Sequence, residues 1–107
     1  MEEREALGTN YEDVLSSLYG GEQVMAVINI KVNTKEADKL ASDISEYDCI
    51  EDVFLVTGDT DIVAKARFRH YKELKDFVVD ELGKLSGLKE TKTLMVVSTY
   101  KERGIKK

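Results

Sequence analysis

Within VTGDTDIVAKARF, residues 56–68, the segment Gly58-Asp59-Thr60-Asp61 sets a glycine, a hydroxyl and two carboxylates between two apolar runs. Carboxylates this close can hold a cation or pass a proton. Gly and Asp are also ordinary turn residues, because Gly reaches positive φ freely and Asp can hydrogen-bond its own backbone. Asp59-Thr60-Asp61 begins like a calcium loop, but the later acidic positions and the glycine at the sixth place are missing. Further on, Thr91-Lys92-Thr93 puts two hydroxyls on one face of an extended segment. The single histidine, His70, has no nucleophile in a recognisable motif beside it, and a catalytic imidazole needs both a nucleophile and an orienting group. Cys49, the only cysteine, sits at a strand entry and reads as a small core residue. No His/Cys set has zinc spacing, and Gly20-Gly21 reads as a helix end, not a phosphate loop. We therefore expect no catalytic residues, no metal site and no cofactor.

The elements that position these residues follow from periodicity. Residues 1–23 hold a short helix that Asn10 can cap, with Glu12 and Asp13 in its first turn. VMAVINIKV (24–32) is a β-branched run without a breaker and reads as a buried strand. Asn33 caps a helix to about Tyr47, with Ala37, Leu40, Ala41 and Ile44 on its apolar side. Residues 49–57 and 61–68 read as a hairpin around the Gly58–Asp61 turn. Residues 71–85 form a second helix with Leu74, Phe77, Val78, Leu82 and Leu85 along one side, and residues 91–100 form the last strand. The order β-α-β-β-α-β is the ferredoxin-like split βαβ pattern: an α+β fold with a four-stranded antiparallel sheet and two right-handed crossovers that place both helices on one face.

That arrangement leaves a second sheet face uncovered. It carries Met25, Val27 and Val63, with Lys65 and Arg67. Depending on register, Met95 and Val97 or Leu94 and Val96 join them. An apolar sheet face of this size usually marks an interface. We expect a homodimer packed sheet on sheet as a dimeric αβ-barrel, with Met25, Val27, Val63 and Val97 in the contact.

Composition narrows the class. The chain has 107 residues, 16 basic and 21 acidic, for a net charge of −5. Such a balance opposes phosphate backbones, and the basic tail 102–107 reads as a solvated end, so direct nucleic-acid binding is not expected. The charged N-terminus lacks the apolar core of a secretory signal, and no apolar run approaches the roughly 20 residues of a membrane span. One cysteine allows no internal disulfide. The reading is cytoplasmic, without a membrane partner.

Val56, Thr57, Gly58 and Asp61, followed at matching spacing by Leu85, Gly87, Leu88, Thr91 and Thr93, resemble the motifs of the Lrp/AsnC (leucine-responsive regulator) effector-binding domain, also called the RAM domain. The resemblance covers residues 24–101. It implies a ferredoxin-like domain that dimerises through its sheets, often in octameric rings of four dimers, with an amino acid bound between dimers. Carried over, the ligand site is Gly58, Asp59, Thr60 and Asp61 with Thr91, Thr93, Leu94 and Met95, and Tyr71 contributes more weakly. Loop amides suit an α-carboxylate, an Asp suits an α-ammonium, and threonine hydroxyls suit either end. Family members carry an N-terminal helix-turn-helix of roughly sixty residues, whereas only about 23 residues precede the first strand here, too few for a three-helix DNA reader. The expectation is a non-enzymatic amino-acid-sensing and oligomerisation domain without its own DNA-binding domain, modulating a full-length Lrp/AsnC regulator by co-assembly. An ACT-like regulatory module and a dimeric αβ-barrel enzyme share the topology and are the alternatives.

Overall fold

The computed structural model describes residues 23–107; the helix expected from Asn10 lies outside them. The β-branched run forms β1 (Val24–Val32). Asn33 Oδ1 accepts from Lys35 N at 3.2 Å and caps a 3-10 turn, Thr34–Glu36, that leads into α1 (Ala37–Ser45). Then come β2 (Ile50–Leu55), β3 (Ile62–Phe68) and α2 (Tyr71–Asp76). Helix α2 runs on as a π turn, Phe77–Glu81, and a 3-10 turn, Leu82–Lys84. β4 (Leu88–Met95), β5 (Lys101–Glu102) and β6 (Ile105–Lys106) complete the order. The main sheet is antiparallel in the order β2-β3-β1-β4, as the split βαβ reading requires.

The core lies between this sheet and the helices. Ala26, Ile28 and Ile30 from β1 and Ile62, Ala64 and Ala66 from β3 are fully buried. Leu40 and Ile44 from α1, and Leu74, Phe77 and Leu82 from the second helical segment, close over them. Tyr47 meets Phe77 edge-on at 5.0 Å between ring centroids. The π turn has a packing cause. At ~100° per residue, an α-helix would carry Leu82 roughly 140° around from Phe77. The wider turn, closed by Leu82 N donating to Phe77 O, brings both onto the core side.

Strand pairing fixes which side each residue faces. β4 pairs with β1 as Ala26↔Met95, Ile28↔Thr93 and Ile30↔Thr91, so Thr91, Thr93 and Met95 share the helix-covered side. The alternate set, Val27↔Leu94, Asn29↔Lys92 and Lys31↔Glu90, faces the open side. The register left open by the sequence thus places Leu94, not Met95, beside Val27 and Val63. Val97 falls beyond the end of β4 and is 63% exposed. Phe54, opposite Val63, adds to the open side at 57% exposure. Met25 is nearly buried, with the Arg67 guanidinium 3.9 Å from its sulfur.

The C-terminal residues read as a solvated tail instead form a hairpin. β5 and β6 pair as Lys101↔Lys106 and Glu102↔Ile105. Arg103 (φ 51) and Gly104 (φ 80) both take positive φ, the pattern of a type I′ turn. The hairpin's Glu102 bonds Lys65, and Arg67 Nη2 donates to Glu102 at 3.1 Å. Arg67 also grips Glu51 with two bonds, 2.7 and 3.3 Å. The Arg67 hydrogen bond holds the Glu51 carboxyl below the usual range, and the Lys65 bond does the same for Glu102.

Gly87 joins the two halves of the fold. It has φ +92, and its carbonyl accepts from Asn33 N at 2.8 Å. An added Cβ would lie 2.9 Å from Glu36 Cγ and 3.0 Å from Glu36 Cβ. Gly58, at φ +127, has nothing within 4 Å of such a Cβ. Gly87→Ala therefore combines backbone strain with a clash and costs about 1–3 kcal/mol, while Gly58→Ala bears strain alone. Urea unfolding of both variants checks the order: the Gly87→Ala midpoint falls further.

Candidate functional site

The Gly58–Asp61 turn is bonded to the end of β1. The β1–β4 ladder slips between Lys31 and Val32. On the other edge of β1, one step past the last β1–β3 pair (Ile30↔Ile62), Asp61 Oδ2 accepts from Val32 N at 3.0 Å. Asp61 N and Thr60 Oγ1 both donate to Ile30 O, each at 3.0 Å, and Val56 N donates to Asp61 O at 2.9 Å. Asp61 thus ends a strand, satisfying an amide that the ladder leaves over. Asp59, at the exposed tip, makes no such bond.

Asp59 and Thr60 overhang a groove of about 310 Å³ on the open side of the sheet. Its other walls are Asn29 and Lys31 from β1 and Glu90 and Lys92 from β4. The register sets Lys31 opposite Glu90 and Asn29 opposite Lys92. Among the described residues no ion pair joins Lys31, Lys92, Asp59 or Glu90 to a partner. Some exposed charges elsewhere are paired, such as Lys39 with Asp43, Arg69 with Glu73, Lys72 with Asp76 and Lys84 with Glu81, while others, such as Lys35, Asp48 and Lys75, are not. The groove can therefore offer two cations, two carboxylates, an amide and a hydroxyl to one small molecule.

The residues expected to bind ligand do not converge within one protomer. Asp59 and Thr60 rim the open-side groove, Gly58 precedes them in the loop without lining it, and Asp61 is turned to the backbone of β1. Leu94 also faces the open side and is 45% exposed. Thr91, Thr93 and Met95 face the helices. Thr93 and Met95 line a separate cleft of about 170 Å³ with Tyr71, Leu74, Lys75, Val78 and Val79. Asn29, Lys31, Glu90 and Lys92 did not emerge from sequence reasoning. Their signal was present, since polar residues alternate with apolar ones at the turn-proximal ends of β1 and β4, but a solvated face reads the same way.

The remaining reactive types stay apart. His70 precedes α2 in extended conformation and supplies no side-chain cap. Burial pushes the Cys49 thiol up to about 11. Among the described residues no three His, Cys, Asp or Glu side chains come together as a metal site, and no helix is long and apolar enough to cross a membrane.

The described residues thus form a ferredoxin-like domain with one helix-covered sheet face and a polar groove under the loop between its second and third strands. Residues 25–105 match the Lrp/AsnC ligand binding domain, and the chain belongs to that family. The match runs to residue 105, into the C-terminal hairpin that the motifs alone left outside. Similar proteins include the HTH-type transcriptional regulator FL11 of Pyrococcus horikoshii, 35% identical over 82 residues that make up 77% of this chain and 54% of that protein. FL11 of Pyrococcus abyssi is 37% identical over the same shares. The chain spans about half the length of these curated relatives, and the family is one of transcription regulators. Among solved structures, TTHA0845 of Thermus thermophilus superposes with a TM-score of 0.69 at 29% identity, over 74% of this chain and 99% of that one. Escherichia coli AsnC superposes with a TM-score of 0.71 at 20% identity, over 95% and 70%. The Neisseria meningitidis regulator NMB0573, solved as a complex with L-Met, gives 0.70 at 23% identity, over 94% and 68%. These last two likenesses bear on the fold.

Two outcomes follow from the local chemistry. Asp61→Ala strands the Val32 amide and costs about 1–3 kcal/mol, whereas Asp61→Asn keeps an acceptor and most of the stability; thermal unfolding separates the two. Cys49 should hold on the order of a hundredfold less thiolate than a free cysteine near neutral pH. Its alkylation by iodoacetamide should be slow at pH 7.5 and accelerate only as pH climbs toward about 11.

Proposed function

We propose that this domain is a non-enzymatic sensor that binds a free amino acid under the Gly58–Asp61 loop. The reading is carried by the unpaired charge set of the groove. Lys31 and Lys92 complement an α-carboxylate. Asp59 and Glu90 complement an α-ammonium, and Thr60 and Asn29 serve either end. The regulator of Neisseria meningitidis solved with L-Met has this fold, which agrees with a ligand of this class.

The two faces of β4 tie binding to assembly. The open-side groove and the Thr93–Met95–Tyr71 cleft lie on opposite sides of one strand, so a single ligand can touch both only if a neighbouring copy supplies one of them. Two copies pack through the open faces, where Val27, Val63, Leu94 and Phe54 form an apolar strip, and dimers then associate around the ligand. Ligand binding favours the assembly that completes the site. In the cytoplasm this domain would act on transcription through full-length Lrp/AsnC regulators with which it co-assembles.

A thermal-shift screen of the twenty amino acids tests this reading, run on wild type, Lys31→Gln/Lys92→Gln and Asp59→Asn. Asp61 is left intact because its carboxylate supports β1. A ligand at ~100 times its dissociation constant adds about 2.7 kcal/mol. At least one amino acid should raise the melting temperature of wild type by several degrees, and the groove variants should lose most of that rise. If no amino acid stabilises wild type, the reading fails.

A further inference from the structure

Charge in this chain is divided along its length. Residues 101–107 carry four cations, Lys101, Arg103, Lys106 and Lys107, and one carboxylate, Glu102, whereas residues 1–22 carry six carboxylates and one cation, Arg4. The hairpin turns its own charges apart. Side chains alternate across a strand, and Glu102 reaches the main sheet to bond Lys65 and Arg67. Lys101 and Lys106, directly opposite each other in the ladder, therefore stand on the outer face. Like charges opposed in this way are destabilising. Among the described residues Lys101, Lys106 and Lys107 enter no ion pair, and Arg103 at the tip comes only within 4.0 Å of Glu51. The other carboxylate of β2, Asp52, stands opposite Lys65.

Apolar surface rims the same hairpin, where Tyr100 is 82% exposed and Ile105 63%. A polyphosphate would meet the lysines and leave these two in water. An occupant with carboxylates and an apolar side covers both. Residues 1–22 have that composition: Val14, Leu15 and Leu18 recur at helical spacing, beside Glu12 and Asp13. The segment also enters the sheet at a suitable place. It leads into β1 at Val24, opposite Phe68, and the next pair is Met25↔Arg67. Arg67 Nη2 donates to Glu102 at 3.1 Å, so the hairpin lies within one arginine side chain of the point of entry.

We propose that the acidic segment 1–22 docks on the C-terminal hairpin of its own chain. Its carboxylates meet Lys101, Arg103 and Lys106, and Val14, Leu15 and Leu18 cover Tyr100 and Ile105. Seated there, the segment relieves the repulsion between the opposed lysines and closes the hairpin to other anions. This docking depends neither on an amino acid in the groove nor on contact between copies of the chain.

Zero-length carbodiimide coupling and limited trypsin digestion test the docking on the full chain. In a mixture of isotopically light and heavy chains, new amide links should join carboxylates of residues 1–22 to Lys101 or Lys106 within one chain. Wild type is then digested beside a carboxylate variant, Glu2→Gln/Glu3→Gln/Glu5→Gln/Glu12→Gln/Asp13→Asn, and an apolar variant, Leu15→Ser/Leu18→Ser, with circular dichroism checking that each is folded. The altered residues are remote from the hairpin in sequence, so the cut sites themselves are unchanged. Cleavage after Lys101, Arg103 and Lys106 should run roughly fivefold faster in both variants, and ~1 M salt should narrow the gap between wild type and the carboxylate variant. Equal cleavage rates in wild type and the carboxylate variant would overturn the docking. Links that join only light to heavy chains would assign the contact to a second copy and overturn docking within one chain. Duplex DNA of arbitrary sequence that slows cleavage equally in wild type and the carboxylate variant would show the hairpin already open, and would overturn it too.

Discussion

The pairing of β1 with β4 is the constraint from which the rest of the molecule follows. β1 lies in the sheet interior, hydrogen-bonded on both edges, with Ala26, Ile28 and Ile30 fully buried on one side. A slip of one residue would turn that set into solvent and drive Asn29 and Lys31 into the core, so the register is strongly fixed. Once it is fixed, β4 has no freedom left. Its threonines and Met95 go to the helices, and its Glu90, Lys92 and Leu94 go to the open face. The same register brings Lys31 beside Glu90 under the loop that carries Asp59, assembling a polar groove from two strands far apart in sequence.

Asp61 shows how the loop and the register support each other. The β1–β3 ladder ends at Ile30↔Ile62, which leaves the Val32 amide without a strand partner on that edge. The carboxylate takes that donor, while Thr60 and the Asp61 amide share the Ile30 carbonyl. The loop is held by three bonds to the end of β1. It can therefore present Asp59 at a defined place with an exposed glycine beside it. The turn residues noted for possible chemistry thus divide the labour: Asp61 fastens the loop, and Asp59 and Thr60 overhang the groove.

Most of the fold was legible because its signals are local or periodic. The uninterrupted β-branched run of β1, the 3.6-residue spacing of Leu40 and Ile44 and the Gly-Asp turn each follow from a few neighbouring residues. What was illegible depends on distant partners. Whether Leu94 or Met95 faces the open side is decided by where β4 meets β1, which no stretch of β4 contains. The π turn arises because Phe77 and Leu82 must reach one core, a demand set by the sheet. The C-terminal hairpin has two-residue strands and an Arg-Gly turn, too brief for alternation and without the usual Asn-Gly or Asp-Gly signal. It exists through the bonds of Glu102 to Lys65 and Arg67, 37 and 35 residues away in sequence. The motifs that resemble the Lrp/AsnC family marked the rim of the groove but not its floor, because Asn29 and Lys92 gain meaning only as cross-strand neighbours.

Charge placement separates what holds the fold from what the fold presents. Along the helices, exposed pairs such as Lys39–Asp43 and Lys72–Asp76 follow i,i+4 spacing and contribute little, since solvent screens them. The Glu51–Arg67–Glu102–Lys65 set is different in kind. It is largely shielded, its members reach across strands, and each carboxylate touches both cations. Removing one member leaves a shielded charge with too few partners, so the set behaves as a unit. The groove charges differ again. Lys31, Lys92, Asp59 and Glu90 form no ion pair among the described residues and line an opening of about 310 Å³. Their pairing would contribute little to stability, since they are exposed. Unpaired around the opening, they present both signs of charge on one face. A ligand with both charges can engage the two signs together, while a singly charged one leaves one pair of groups unmet. On the proposed reading, such a groove would favour a ligand that carries both charges.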